Sequence, residues 1–99
     1  MDIIPAEPGR IVLSKSGRDE GKYFIILKVL SDDYVLLCDG QMRKLASPKK
    51  KKLKHLAIKP ECIDSLREKL LNDKRIFDSE VRSALESAGY YNRKVRGEE

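Results

Sequence analysis

Tryptophan is absent from this sequence, histidine occurs once, and the only aromatics are four Tyr and two Phe. With so few rings there is little to stack on nucleic-acid bases, so recognition of a polyanion would fall to charge and shape. Two cysteines, Cys38 and Cys62, lie far apart on apolar-rich stretches. Reduced, buried thiols are their expected state. Together with His55 they are too few to ligate a metal, and neither a metal nor another cofactor is expected. No apolar run approaches membrane-spanning length. Met1-Asp2-Ile3-Ile4-Pro5 carries an acid where a secretory signal needs basic residues, so a cytoplasmic protein without membrane contact is expected. No Gly-Lys-Ser/Thr ending opens a helix, which argues against nucleotide hydrolysis. One His, no Ser in a nucleophile context and acids confined to turns and helix faces supply no nucleophile, base and orienting group. No enzymatic activity is expected.

What is plentiful is positive charge, unevenly placed. The net charge of the 99 residues is +5, yet residues 9–59 hold thirteen Lys and Arg against five Asp and Glu, an excess of +8. Residues 60–99 hold eight against nine. An anion-binding module joined to a near-neutral helical region would show this asymmetry. Hydrophobic residues make up 40% of the chain, enough for one small domain but not for two large cores.

The chain is organised around residues 9–29, where two β-rich apolar runs, Ile11 to Leu13 and Tyr23 to Val29, flank a polar loop holding Gly17 and Gly21. Residues 1–8, with two prolines, form a lead-in without regular structure. Strand one covers about Arg10 to Lys15. In strand two, Lys28 argues that Tyr23, Ile25, Leu27 and Val29 face inward, although Phe24 and Ile26 leave the other face apolar too. After the turn Ser31-Asp32-Asp33 comes strand three, Tyr34 to Cys38. Asp39-Gly40 fits a two-residue hairpin turn into strand four, about Gln41 to Leu45. Lys49-Lys50-Lys51-Lys52 reads as a loop, because four adjacent ammonium groups repel one another. Leu53 to Ile58 alternates and would be strand five. From Glu61 the period changes: Ile63, Leu66 and Leu70 mark a helix to about Leu71, with Pro60 at a plausible first position. Asp78 or Ser79 can cap a second helix with Val81, Ala84, Leu85 and Ala88 on one face and Gly89 as its stop. Tyr90 to Glu99 reads as a loose tail. The division is thus 1–8 lead-in, 9–59 β domain with a basic loop at 46–54, 60–89 two-helix extension and 90–99 tail.

Gly9-Arg10-Ile11-Val12 through Ser14-Lys15-Ser16-Gly17-Arg18-Asp19-Glu20-Gly21-Lys22, followed by an apolar strand, resembles the KOW motif, with Gly21 at its central glycine. Tyr34-Val35-Leu36-Leu37, Asp39-Gly40, Arg43-Lys44-Leu45, Pro48-Lys49-Lys50-Lys51 and Lys54-His55-Leu56 extend the likeness to archaeal and eukaryotic large-subunit ribosomal proteins with an N-terminal KOW barrel. The resemblance covers about half of the chain, roughly Pro8 to Ile58. It implies a mainly β fold: a small five-stranded SH3-like barrel followed by two short α-helices, which pack on it or project from it. It also implies a ribosomal or ribosome-associated RNA-binding protein, whereas the residue chemistry alone implies a polyanion binder.

The candidate contact residues are Arg10, Lys15, Arg18, Lys22, Arg43, Lys44, Lys49, Lys50, Lys51, Lys52, Lys54 and His55. Their cations would neutralise phosphates of structured RNA, recognising helix shape more than sequence. Solvated surface charge is the plainer reading of the same lysines. Gly17 and Gly21 either bring backbone amides close to phosphates or merely shape a turn. Tyr23 and Tyr34 read as core rings with wet hydroxyls rather than stacking platforms. Tyr90 and Tyr91, beside Arg93, Lys94 and Arg96, offer a minor second contact or a frayed terminus. A protein-interaction adaptor using the apolar helical face of Ile63, Leu66, Leu70, Val81 and Leu85 is the alternative function. A transcription-associated KOW module is another. A monomer is expected.

Overall fold

The structure, a computed structural model, describes residues 4–90. Five strands and two helices follow in order: β1 (Arg10–Ser14), β2 (Tyr23–Val29), β3 (Tyr34–Cys38), β4 (Lys49–Lys52), β5 (Leu56–Cys62), α1 (Asp64–Leu71) and α2 (Asp78–Ser87). One turn of 3-10 helix, Leu53–His55, separates β4 from β5. All strand pairs are antiparallel, in the spatial order β4-β3-β2-β1-β5. A mainly β chain with two C-terminal helices is therefore present, but the SH3-like KOW barrel is not. Closing a sheet requires its outermost strands to pair. Here β4 ends on β3, β5 ends on β1, and the sheet stays open. The likeness to the KOW ribosomal proteins, drawn from sequence motifs, implied that barrel, and the open sheet overturns it.

Several boundaries differ from the sequence reading for identifiable reasons. Gln41 to Leu45 is not a strand, because Asp39 captures its amides: Oδ1 accepts from the N–H groups of Gln41 (3.0 Å) and Arg43 (2.9 Å). Local bonds of this kind compete with a β ladder. The same loop seats on α2, where Leu45 N–H donates to Asp78 Oδ1 at 2.8 Å. At Gly40, φ is +79° and a Cβ would stand 2.3 Å from the Asp78 carbonyl oxygen, so the approach admits no side chain. The run Lys49–Lys52, read as a loop, is β4 itself, paired with β3 from Leu37↔Lys49 to Tyr34↔Lys52. Pleating turns successive lysines to opposite faces and so separates the ammonium groups that adjacency would crowd. Leu53–His55 is then a helical turn rather than the start of strand five. β5 runs on through Pro60, which the reading had placed at the head of a helix; on an edge strand its missing N–H is tolerated. For α2 the cap position is Phe77, whose N–H donates to Glu80 Oε1 at 2.9 Å, while Asp78 is spent on Leu45.

Each face of the sheet carries a buried core, and Val29, read as inward with Tyr23, Ile25 and Leu27, is exposed. Ile25 joins Ile11, Cys38, Leu66, Ile76, Val81 and Leu85 in a core between the sheet and the helices. Its neighbours Phe24 and Ile26 join Val12, Val35, Leu37 and Leu56 in a second core on the opposite face. Ala6 of the lead-in, Leu53 of the 3-10 turn and Ile58 of β5 pack against that second core. Two register shifts, one in the β1–β5 pair between Arg10 and Val12 and one in β2–β3 between Ile26 and Lys28, supply local bending. The helices, of 8 and 10 residues, are too short to persist alone and are held by burying Leu66, Val81 and Leu85.

Tyr90, assigned to the loose tail, is docked. Its N–H bonds to the Leu85 carbonyl (2.9 Å), its hydroxyl donates to Glu61 Oε1 (2.7 Å), and its ring meets that of Tyr23 with centroids 4.6 Å apart. The remaining tail residues, Tyr91, Arg93, Lys94 and Arg96 among them, lie outside the described residues, as do Met1 to Ile3.

Candidate nucleic-acid interface

The structure separates the twelve candidate residues into two groups. Three are committed elsewhere or stand apart. Arg10 is 8% exposed; its guanidinium donates to the carbonyls of Pro5 (3.0 Å) and Pro60 (2.7 Å) and pairs with Glu7. It therefore ties the lead-in and β5 to β1, and is corrected from a contact residue to a structural one. Arg43 donates to Asp19 Oδ2 from Nη2 (3.0 Å) and Nε (3.3 Å), bracing the loop after β3 against the loop between β1 and β2. Lys44 stands by Gly40, Gln41, Arg82 and Glu86, on the flank facing α2.

The other nine surround the β1–β2 loop, β4 and the 3-10 turn. Lys51 Nζ donates to the Ser16 carbonyl at 2.8 Å, so the edge strand is fastened to the β1–β2 loop by a side chain and not by a ladder. Lys15 N–H donates to the His55 carbonyl at 2.8 Å, which fixes the 3-10 turn beside the same loop. Leu53 N–H reaches the Asp33 carbonyl at 2.8 Å, and Lys52 and Lys54 border a small recess with Asp33. Loop 15–22 is held in shape by its own bonds, Gly21 N–H to the Ser14 carbonyl (2.8 Å) and Lys22 N–H to the Asp19 carbonyl (3.0 Å). Among the described residues, none of Lys15, Arg18, Lys22, Lys49, Lys50, Lys51, Lys52, Lys54 or His55 is ion-paired with a carboxylate.

These cations do not all share one side. Register places Lys49 and Lys51 on the face of Leu37 and Val35, and Lys50 and Lys52 on the face of Leu36 and Tyr34. Lys50 Nζ lies 4.6 Å from the centre of the Tyr34 ring and Lys52 Nζ 5.7 Å. Tyr34 is thus half-buried among ammonium groups, not a core ring. Lys28, opposite Leu36 on β2, joins this second face. The sequence reading used Lys28 only to orient its strand. With the lysine run read as a loop, nothing in the sequence put it next to Lys50.

Neither cysteine is prepared for chemistry. Burial, reinforced by Asp39 and Asp78, pushes the Cys38 thiol up to about 12, and burial raises Cys62 as well. Among the described residues no cluster of three or more His, Cys, Asp or Glu could hold a metal, and no helix is long and apolar enough to cross a membrane. No family model matches the chain.

Proposed function

We propose that the protein binds structured RNA through its phosphate backbone, along the β4 edge and the adjoining loop 15–22. The supporting observation is the arrangement around Lys51: four successive lysines on an open edge strand, fastened to a second basic loop and not ion-paired with any carboxylate among the described residues. Cations spaced along a strand and fixed by main-chain bonds meet a phosphate backbone with less ordering cost than cations on a free tail. The adaptor reading is less favoured, because Leu66, Val81 and Leu85 of its apolar face are at most 3% exposed and only Ile63 and Leu70 stay half-buried.

The test is a salt titration of binding to an RNA duplex. Neutralising about 4 to 6 phosphates gives a log-log slope of about −3.5 to −5.5. Changing Lys49 to Lys52 together to Glu abolishes binding while the melting curve stays cooperative. A flat slope, or full affinity in that folded variant, refutes the proposal.

A further inference from the structure

α1 and α2 cover only part of the sheet face they pack on. On that face, Ile11, Ile25 and Cys38 lie under the helices. Cys38, Leu36 and Tyr34 alternate on β3, so Leu36 and Tyr34 continue the same face beyond them. Neither residue is part of, or packed against, the core beneath the helices. Leu36 is flanked across the strands by Lys28 of β2 on one side and Lys50 of β4 on the other, and Tyr34 lies opposite Lys52. All three lysines are exposed, while Tyr34 and Leu36 are half-buried. The uncovered half of the face is therefore one ring and one leucine rimmed by three cations.

We propose that this platform takes an unpaired RNA nucleotide: its base stacks on Tyr34 against Leu36, and the flanking phosphates bind Lys28, Lys50 and Lys52. The inference rests on the phosphate-binding reading and adds the class of RNA segment, a loop, bulge or single strand. Three features select that occupant. A base has an apolar face that fits a tyrosine ring, and phosphates on either side of it that fit cations two strands apart. Fully paired RNA keeps its bases stacked within the helix and offers none to the ring. Lys50, now over the ring at 4.6 Å, is long enough to exchange the π-face for a phosphate as the base arrives.

The experiment compares an RNA hairpin whose loop carries 2-aminopurine with a fully paired duplex of equal length and phosphate number. Stacking on Tyr34 changes the 2-aminopurine emission when the protein is added, and Tyr34→Phe preserves the change. Tyr34→Leu removes it and weakens hairpin binding by about fivefold to 150-fold, the worth of one base–aromatic stack, while duplex affinity stays the same. Unaltered emission with the unmodified protein overturns the platform, whatever the variants do. Equal weakening of hairpin and duplex by Tyr34→Leu overturns it too. If duplex binding keeps its salt slope in either case, only the stacking inference fails; if neither RNA binds at low salt, the phosphate reading fails with it.

Discussion

Single residues carry the fold's least replaceable contacts, and Gly40 and Gly21 allow steric and conformational costs to be separated. Both have positive φ, but a Cβ on Gly40 would collide with the α2 backbone, whereas one on Gly21 would meet nothing within 4 Å. Gly21→Ala should cost about 1–2 kcal/mol, the left-handed penalty alone. Gly40→Ala should cost clearly more in urea denaturation, because the loop must also lift from Asp78. Equal costs would mean that the close approach is not rigid. Tyr90 gives a prediction in alkali. Donation to Glu61 holds its hydroxyl at about 12, above the ordinary value near 10. A raised folded pKa means that the stability it contributes is complete below about pH 10 and lost as pH climbs toward about 12. Tyr90→Phe should lower stability at neutral pH and flatten its decline across that window, measured by chemical denaturation at a series of pH values.

Among the elements, β4 departs furthest from what its sequence announces. β1, β2 and β3 were legible from apolar runs and glycine punctuation, and the helices from the change of period after Pro60. β4 was not, since Lys-Lys-Lys-Lys has no periodicity and its pairing depends on β3 lying alongside. The Gln41 to Leu45 segment misled for the converse reason: its composition permits a strand, but Asp39 and Asp78 take its amides. Of the candidate site, the charge was legible while its commitments were not, because the enclosure of Arg10, the pairing of Arg43 with Asp19 and the flanking of Leu36 by Lys28 and Lys50 all arise from contacts distant in sequence. As an edge strand, β4 leaves one side of its backbone unladdered, and lysines on such an edge hinder pairing with a second molecule. Replacing Lys50 and Lys52 by Thr, a good strand former, should produce concentration-dependent association in sedimentation. A strictly monomeric variant would show that the edge is guarded by something other than charge.

Across the whole molecule, one carboxylate joins three parts that lie far apart in sequence. Glu7 in the lead-in pairs with Arg10 of β1 and, at 2.9 Å, with Arg67 of α1. The Arg67 guanidinium, with help from Arg10, holds the Glu7 carboxyl below its usual range even though burial pushes the other way, and Arg67 is raised in turn. A depressed folded pKa contributes stability that is full above the ordinary carboxylate value and disappears as pH falls through the lower folded one. Glu80, lowered by its bond to Lys69 between the two helices, acts in the same direction. Thermal melts from neutral to acid pH should therefore show Tm falling most steeply below about pH 4. Glu7→Gln should have a lower neutral Tm and a shallower acid decline; an unchanged acid limb would mean that the clamp contributes nothing in solution.

The contact of Lys51 with the Ser16 carbonyl has a dynamic consequence. It is a latch of one ammonium across a gap that no ladder spans. Replacing Lys51 with Met would undo the latch and spare the rest, and deuterium would enter the amides of residues 49–52 sooner without entering those of β1 or β2 any faster. The spacing between the two basic segments, β4 and loop 15–22, depends on that latch.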